Sequence, residues 1–417
     1  MRWGRWGYAA VVAALVAGVA VTDVPVGHGR STARLGCAGS VPYRAGTGGY
    51  AAYRIPAVVR TPAGTLLAFA EGRRHGAGDS GDVDLVLRRS ADGGCTWGPL
   101  AVVAAGRGHT RGNPAPVVDP RSGDVVLLSS GNDGAVTERM ILQGRVGADR
   151  GRRVYVQRSA DDGRSFSPPE DITAAAKLPG WRWYATGPGH AVVLTRGRYA
   201  GRLVVPADHS TAPPPGSRDT GREPRYYGAH ALVSDDGGRT WRIGFVDDAP
   251  EGSVNGNEST AAELPDGSLY FSTRDQLGSA PGNRADARSY DGGATLDRPY
   301  APQPALAAVP VVQGSLLAVP GTASASASAS GDGLLLFSAP SVPDRRAAAA
   351  LWTSTDGGRT LTRALTLSTD PAAYSDLVAV GDDTIGVLYE TGRRSPYETI
   401  TFRRVPLARL AARAAGR

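Results

Sequence analysis

Ser234-Asp-Asp236-Gly-Gly238-Arg-Thr240-Trp241 is one of five copies of a Ser-x-Asp-x-Gly-x-(Thr/Ser)-aromatic box in this chain. The others start at Ser90, Ser159, Ser289 and Ser354, the last two with Leu296 and Leu361 in the aromatic place. Each box reads as a hairpin turn. Its Asp accepts hydrogen bonds from turn amides, its Gly takes a positive φ, and its aromatic packs beneath the sheet. Apolar alternation leads into them, as in Asp84-Leu-Val-Leu-Arg88 and Arg153-Val-Tyr-Val-Gln157. The intervals between boxes suit one four-stranded antiparallel sheet plus loops. Five boxes in register predict an all-β chain, a β-propeller. They do not suggest calcium loops, because their acidic residues do not recur at the EF-hand spacing.

Composition agrees with that architecture. With 56 Gly and 30 Pro in 417 residues the chain is turn-rich, and 41% hydrophobic residues exclude global disorder. Helical periodicity is confined to a short tail, Leu407 to Ala415, and the Ala-Ser run from Thr322 to Ser330 reads as a surface loop. The net charge is +7, and Lys177 is the single lysine, so nearly all the positive charge is arginine. Those charges are not gathered into runs, which argues against a nucleic-acid partner. Arginine is instead suited to gripping carboxylates through two parallel hydrogen bonds.

Met1 to about Ala20 has the pattern of a secretory signal. Arg2 and Arg5 precede an apolar stretch, Tyr8 to Val21, too short to span a bilayer, and Gly18-Val19-Ala20 offers a cleavage site. A secreted, monomeric protein without a stable membrane span is therefore expected, with a signal and short leader over 1–30 and one domain over 38–410. Two cysteines, Cys37 and Cys95, are expected to bridge in an oxidising compartment. The six histidines lack paired ligand spacing, so neither metal nor cofactor is expected, and His190 reads as structural.

Together with the boxes, Tyr53-Arg54-Ile55-Pro56 resembles the exo-α-sialidases (neuraminidases) of glycoside hydrolase family 33, from about Val41 to Pro406. The resemblance implies six blades of four antiparallel strands, with the site at the axis on the face away from the boxes. Arg54 matches the first arginine of that family's carboxylate-binding triad. Arg274 in Ser272-Thr273-Arg274-Asp275 matches the second and Arg346 the third, with the adjacent Arg345 as its alternative. Glu258 in Asn257-Glu258-Ser matches the catalytic glutamate, with Glu263 as the alternate, and Tyr374 in Ala373-Tyr374-Ser375 the nucleophile. Asp79, in a Gly-rich loop with Asp82 as its competitor, matches the acid/base. Glu390 resembles the glutamate that steadies the first arginine; Arg73, Asn113 and Gln313 resemble further substrate-binding residues. Asp208-His209 departs from the Asn-His of related sequences.

The implied chemistry is hydrolysis, with retention, of terminal α-linked sialic acids from glycoproteins, glycolipids and oligosaccharides. The substrate carries a carboxylate on its reacting carbon, so an anionic nucleophile would be repelled. A neutral phenol is not, provided a carboxylate takes its proton. Asp79 would need a raised pKa to act as an acid, which closure of its Gly-rich loop over substrate would supply by desolvation. A noncatalytic carbohydrate-binding propeller and a trans-sialidase are the alternatives.

Overall fold

The computed structural model describes residues 37–249, 251, 253–276, 282–319 and 333–410. The signal segment, the Ala-Ser run and the tail beyond residue 410 lie outside the described residues. The described residues belong to one compact unit that begins at Cys37.

Its described residues are all-β apart from two short α-helices, Glu138–Leu142 and Thr173–Ala176, a helical stretch over 408–410 in the expected tail, and a few single 3₁₀ turns. Its strands succeed one another as antiparallel meanders. Gly39–Arg44 is the exception: it pairs with Thr399–Pro406, so the first strand of the unit completes the last sheet and closes the ring. Closure hydrogen-bonds the first strand to the last, which covers the edge that Thr399–Pro406 would otherwise present and ties the two ends of the ring together. Cys37, just before that strand, is disulfide-bonded to Cys95 in the first box, with S–S at 2.06 Å.

The hydrogen bonding corrects the expectation of a six-bladed propeller of four-stranded antiparallel blades. Four sheets hold four or five strands, and a fifth sheet holds eight. In the eight-stranded sheet, Val83–Ser90 meets Thr110–Val118 in parallel at Val83 and Thr110, which fuses what the boxes suggest are separate first and second blades. The boxes report strand-ending turns. They carry no information about where neighbouring sheets share a hydrogen bond.

The boxes form as read. In the first, Asp92 Oδ1 accepts from the amides of Cys95 and Thr96 at 3.0 and 2.9 Å, and Ser90 Oγ accepts from Gly94 N at 2.8 Å. Gly94 has φ +86°, and any Cβ there would collide with the Phe402 ring, so glycine is required twice over. The alternation that leads into the box does not survive as a two-faced strand. Leu66 to Ala70 and Asp84 to Leu87 are buried on both faces, because neighbouring sheets cover both sides.

Register separates the two ends of each sheet. Ala52, Arg73 and Val83 lie together at one end, while Arg60, Leu66 and the first box's Ser90 lie at the other. Arg54 and Glu71, paired near the first of these ends, belong to a charged cluster on the side away from the boxes.

Candidate active site

Four strands, Ala52–Arg60, Thr110–Val118, Gly256–Glu263 and Ala372–Ala379, share one irregularity. The pairing register slips between Arg54 and Ala57, between Gly112 and Ala115, between Gly256 and Ser259, and between Ala372 and Ser375. Arg54, Asn113, Glu258 and Tyr374 all sit at these slips. A bulge bends the strand and re-aims one side chain out of the alternating pattern. At two of them the local sequence shows how: Ile55 and Asn113 have φ of +59° and +54°, and each precedes a proline that has no N–H to give the ladder.

Tyr374 is the point where these side chains meet. Its Oη lies 2.5 Å from Glu258 Oε1. Arg274 Nη1 donates both to Glu258 Oε2, at 2.7 Å, and to Tyr374 Oη, at 3.1 Å. The guanidinium carbons of Arg54 and Arg346 stand 5.0 and 5.5 Å from the Tyr374 ring centroid. The three arginines predicted from sequence thus surround one phenol. Burial pushes the Tyr374 pKa up, and Glu258 adds to this, against the opposing pull of the arginines. The phenol therefore stays protonated at any ordinary pH.

Glu390 anchors this centre. It is fully buried and accepts from Arg54 Nε at 3.2 Å, from Ile55 N at 2.8 Å and from Tyr374 N at 3.2 Å. One carboxylate therefore fixes the first arginine, the bulge that carries it and the backbone of the phenol. Gln313, also buried, spends its amide on backbone: it donates to Pro188 O and Ser375 O and accepts from Ser375 N. The structure places it as a brace for the Tyr374 strand.

Asp79 is differently housed. It projects from the loop between Leu66–Arg73 and Val83–Ser90, with its side chain 69% exposed. Arg73 Nη1 and Arg54 Nη1 donate to its Oδ1 at 2.8 and 3.3 Å. Desolvation raises its pKa, but these two arginines outweigh it and hold the carboxyl below its usual range. The sequence reading requires the opposite shift. In this geometry the arginines favour the charged form, and the loop does not cover it. Arg73 is itself buried, with Nε and Nη2 on Glu71.

The alternatives lie elsewhere. Asp82 faces Arg74 and accepts from Gly108 N. Glu263 accepts from Thr195 and Arg196 amides. Arg345 is exposed beside Asp344, whereas Arg346 turns inward to Tyr397 Oη and Val311 O.

Several neighbours were not legible in the sequence. Glu71 accepts from Asn113 N at 2.9 Å as well as from Arg73. Arg152, buried, donates to Asn113 Oδ1 at 2.6 Å and so fixes the amide oxygen of Asn113. Asp376 accepts from Val58 N, Ser315 Oγ and both His190 N and Nδ1, tying three strands and the 187–190 loop behind Tyr374. Tyr397 carries the Arg54 guanidinium over its ring at 4.3 Å. Glu138 stands within the field of Asp79, Glu258, Arg152 and Arg274, its pKa raised by burial first and Asp79 second.

Asp208 explains its own departure from the expected Asn. Burial, with Glu258 adding to it, holds its pKa well above the usual value. The shift favours the neutral form, and a neutral carboxylic acid presents one donor and one acceptor much as an amide does. Its Oδ1 accepts from Asn257 Nδ2 at 3.4 Å. Among the described residues no three His, Cys, Asp or Glu side chains gather as a metal site.

A phenol paired with a buried carboxylate, under three arginines and at one end of a β-propeller, marks a hydrolase built to receive an anionic substrate. Comparison with known proteins gives the family. Residues 64–387 match the model of the BNR repeat-like domain. An exo-alpha-sialidase of Aspergillus fumigatus is 34% identical over 401 residues, covering 88% of this chain and 87% of that one. A sialidase of Bacteroides fragilis is 30% identical over 87% of this chain and 63% of its own. Among solved structures, a Hadza microbial sialidase superposes with a TM-score of 0.72 at 28% identity, covering 89% of this chain and 69% of that chain. The chain belongs to the exo-α-sialidases with BNR repeats, a family of glycoside hydrolases. Among the described residues no helix is long and apolar enough to cross a membrane.

Proposed function

We propose that this sialidase removes terminal α-linked sialic acids from glycoproteins, glycolipids and oligosaccharides with retention, as a secreted monomer. The observation that carries the reading is the 2.5 Å contact between Tyr374 Oη and Glu258 Oε1 beneath Arg274. Because burial keeps the phenol protonated, attack on the anomeric carbon and loss of the proton must be coupled, and Glu258 is in place to take it. Arg54, Arg274 and Arg346 bind the substrate carboxylate through charge-assisted hydrogen bonds.

As the Tyr374 Oη–carbon bond forms, the glycosidic bond breaks and Asp79 gives its proton to the leaving oxygen. Substrate alters the balance at Asp79: a bound carboxylate offsets the charge of Arg54, and the sugar displaces water from the exposed carboxyl. Both changes raise its pKa from the depressed value of the free enzyme. In the second half, Asp79 deprotonates a water that attacks the same carbon from the vacated face. The carbon–Oη bond breaks, and Glu258 returns the proton to Tyr374. Secretion is supported by the N-terminal sequence pattern and by the Cys37–Cys95 disulfide, a bond suited to an oxidising compartment.

The test is release of methylumbelliferone from its α-sialoside by the purified mature chain beside Tyr374→Phe. Turnover should fall by roughly three orders of magnitude or more in the variant, as when other enzymes lose their nucleophile. A Tyr374→Phe variant that retains most of the turnover would overturn the assignment.

A further inference from the structure

Tyr397 lies in the loop that joins Thr384–Thr391 to Thr399–Pro406, half-buried, between two of the three arginines. Arg54 stacks on its ring at 4.3 Å, and Arg346 Nη1 donates to its Oη at 3.2 Å. The loop is held in place. Its Glu398 carboxylate accepts from the amides of Arg393 and Arg394, and Glu398 O accepts from Ala45 N at 3.0 Å.

A phenol oxygen that accepts from a guanidinium uses a lone pair for it, and its own hydrogen must point elsewhere. Among the described residues no side chain or carbonyl accepts that hydrogen from Tyr397. Among these residues the donor is free, on a ring that stands between Arg54 and Arg346, two of the arginines read as the site for the substrate carboxylate. Accepting from a cation also polarises the O–H and strengthens it as a donor. A fourth donor that is neutral has a physical advantage here. Three guanidiniums already repel one another, and a phenol adds a hydrogen bond without adding charge.

We propose that Tyr397 is a fourth carboxylate-binding group, donating its phenol O–H to the substrate carboxylate while its ring and oxygen hold Arg54 and Arg346 in position. This rests on the reading of the three arginines as the carboxylate site, and the experiment separates the two. Calorimetry would measure binding of 2,3-didehydro-2-deoxy-N-acetylneuraminic acid and of its primary carboxamide to the wild type, Tyr397→Phe, Arg346→Ala and the double variant.

A wild type that binds acid and carboxamide equally would overturn the arginine reading, and Tyr397 with it. If the wild type prefers the acid, Tyr397→Phe should lose about ten-fold in affinity for the acid, the scale of a hydrogen bond to a charged group, and much less for the carboxamide. Unchanged acid binding in Tyr397→Phe would overturn the proposal alone and leave the arginine reading standing. The Arg346→Ala background decides how Tyr397 acts. A loss that persists there shows direct donation; a loss that vanishes there makes Tyr397 only a prop for Arg346, and the proposal falls.

Discussion

Tyr374 and Asp79 serve one proposed reaction from opposite physical circumstances. Tyr374 is 6% exposed, at a strand bulge, with its backbone held by Glu390 and its hydroxyl by Glu258 and Arg274. The Asp79 side chain is 69% exposed, on a loop, and takes its side-chain hydrogen bonds from Arg73 and Arg54. The geometry of the proposed nucleophile is therefore made by folding, because several inner strands must pack before Glu258 can reach Tyr374. The protonation state of the proposed acid is left to be made by substrate. A buried acid would be fixed in one state, whereas an exposed one can change state as ligand replaces water and offsets the arginines.

The sharpest way to break this contrast is Asp79→Asn. If Asp79 protonates the leaving oxygen, kcat/KM, which reports the steps up to glycosidic cleavage, should fall by about 10²- to 10⁴-fold on a sugar leaving group such as sialyllactose, the usual contribution of a general acid. The loss should be far smaller for methylumbelliferone, a phenol that departs without help. Equal losses on both substrates would move the acid role elsewhere, and Glu138, with its raised pKa in the same field, would be next in line. The pH profile of the wild type sharpens the same point. Asp79 must be protonated to act, so rate falls as pH rises through its pKa. That pKa is depressed in the free enzyme, so the descending limb of kcat/KM should lie at lower pH than that of kcat, which reports the substrate-bound state. Coincident limbs would mean that substrate does not shift this group.

Legibility in the sequence divides along the same line. Arg54 could be found because Tyr53-Arg54-Ile55-Pro56 is a contiguous motif, and the structure shows what the motif encodes: Ile55 at positive φ and Pro56 without an N–H make the bulge that turns Arg54 inward. Glu258 and Tyr374 came the same way, each from its own short stretch. Tyr397, Asp376 and Arg152 did not. Their partners, Arg54, Val58 and Asn113, are contacts made only when distant strands pack together, and nothing local in Ser395-Pro396-Tyr397 marks it as facing an arginine. The five boxes disclosed an all-β propeller because each is a self-contained turn. The sheet count was missed because the parallel link between Val83 and Thr110 depends on two strands from different repeats.

Glu390→Gln tests the folded half. It keeps the shape but removes the charge that offsets buried Arg54, and puts an NH₂ where either Ile55 N or Tyr374 N now donates. Breaking a buried ion pair typically costs about 3 kcal/mol or more. Urea unfolding should show a loss of that size, with KM for sialoside rising as Arg54 loses its orientation. A variant of unchanged stability and KM would mean that the phenol and first arginine are held by the bulge alone.

The smallest expected effect is a pH window in stability, set by buried histidines on either side of the contrast. His190 lies behind Tyr374. Burial lowers its pKa, but its 2.7 Å contact with Asp376 outweighs that, and the net shift is upward from 6.5. Its contribution is thus complete below the unfolded value and is lost as pH rises through the higher folded one. His209 and His230 lie beneath the stacked Trp181, with their Nδ1 atoms 3.1 Å apart. Burial drives both pKa values down, well down for His230, and each folded ring is held neutral. Their contribution is complete above the unfolded value of 6.5 and is lost as pH falls below it, since the unfolded chain then binds protons that the fold refuses. Thermal midpoints should therefore peak just above pH 6.5. His190→Gln should flatten the alkaline side and His230→Gln the acid side, each leaving the other slope intact. If His230→Gln instead flattened the alkaline side, the two sites would be electrostatically joined, and the acid slope would need another source.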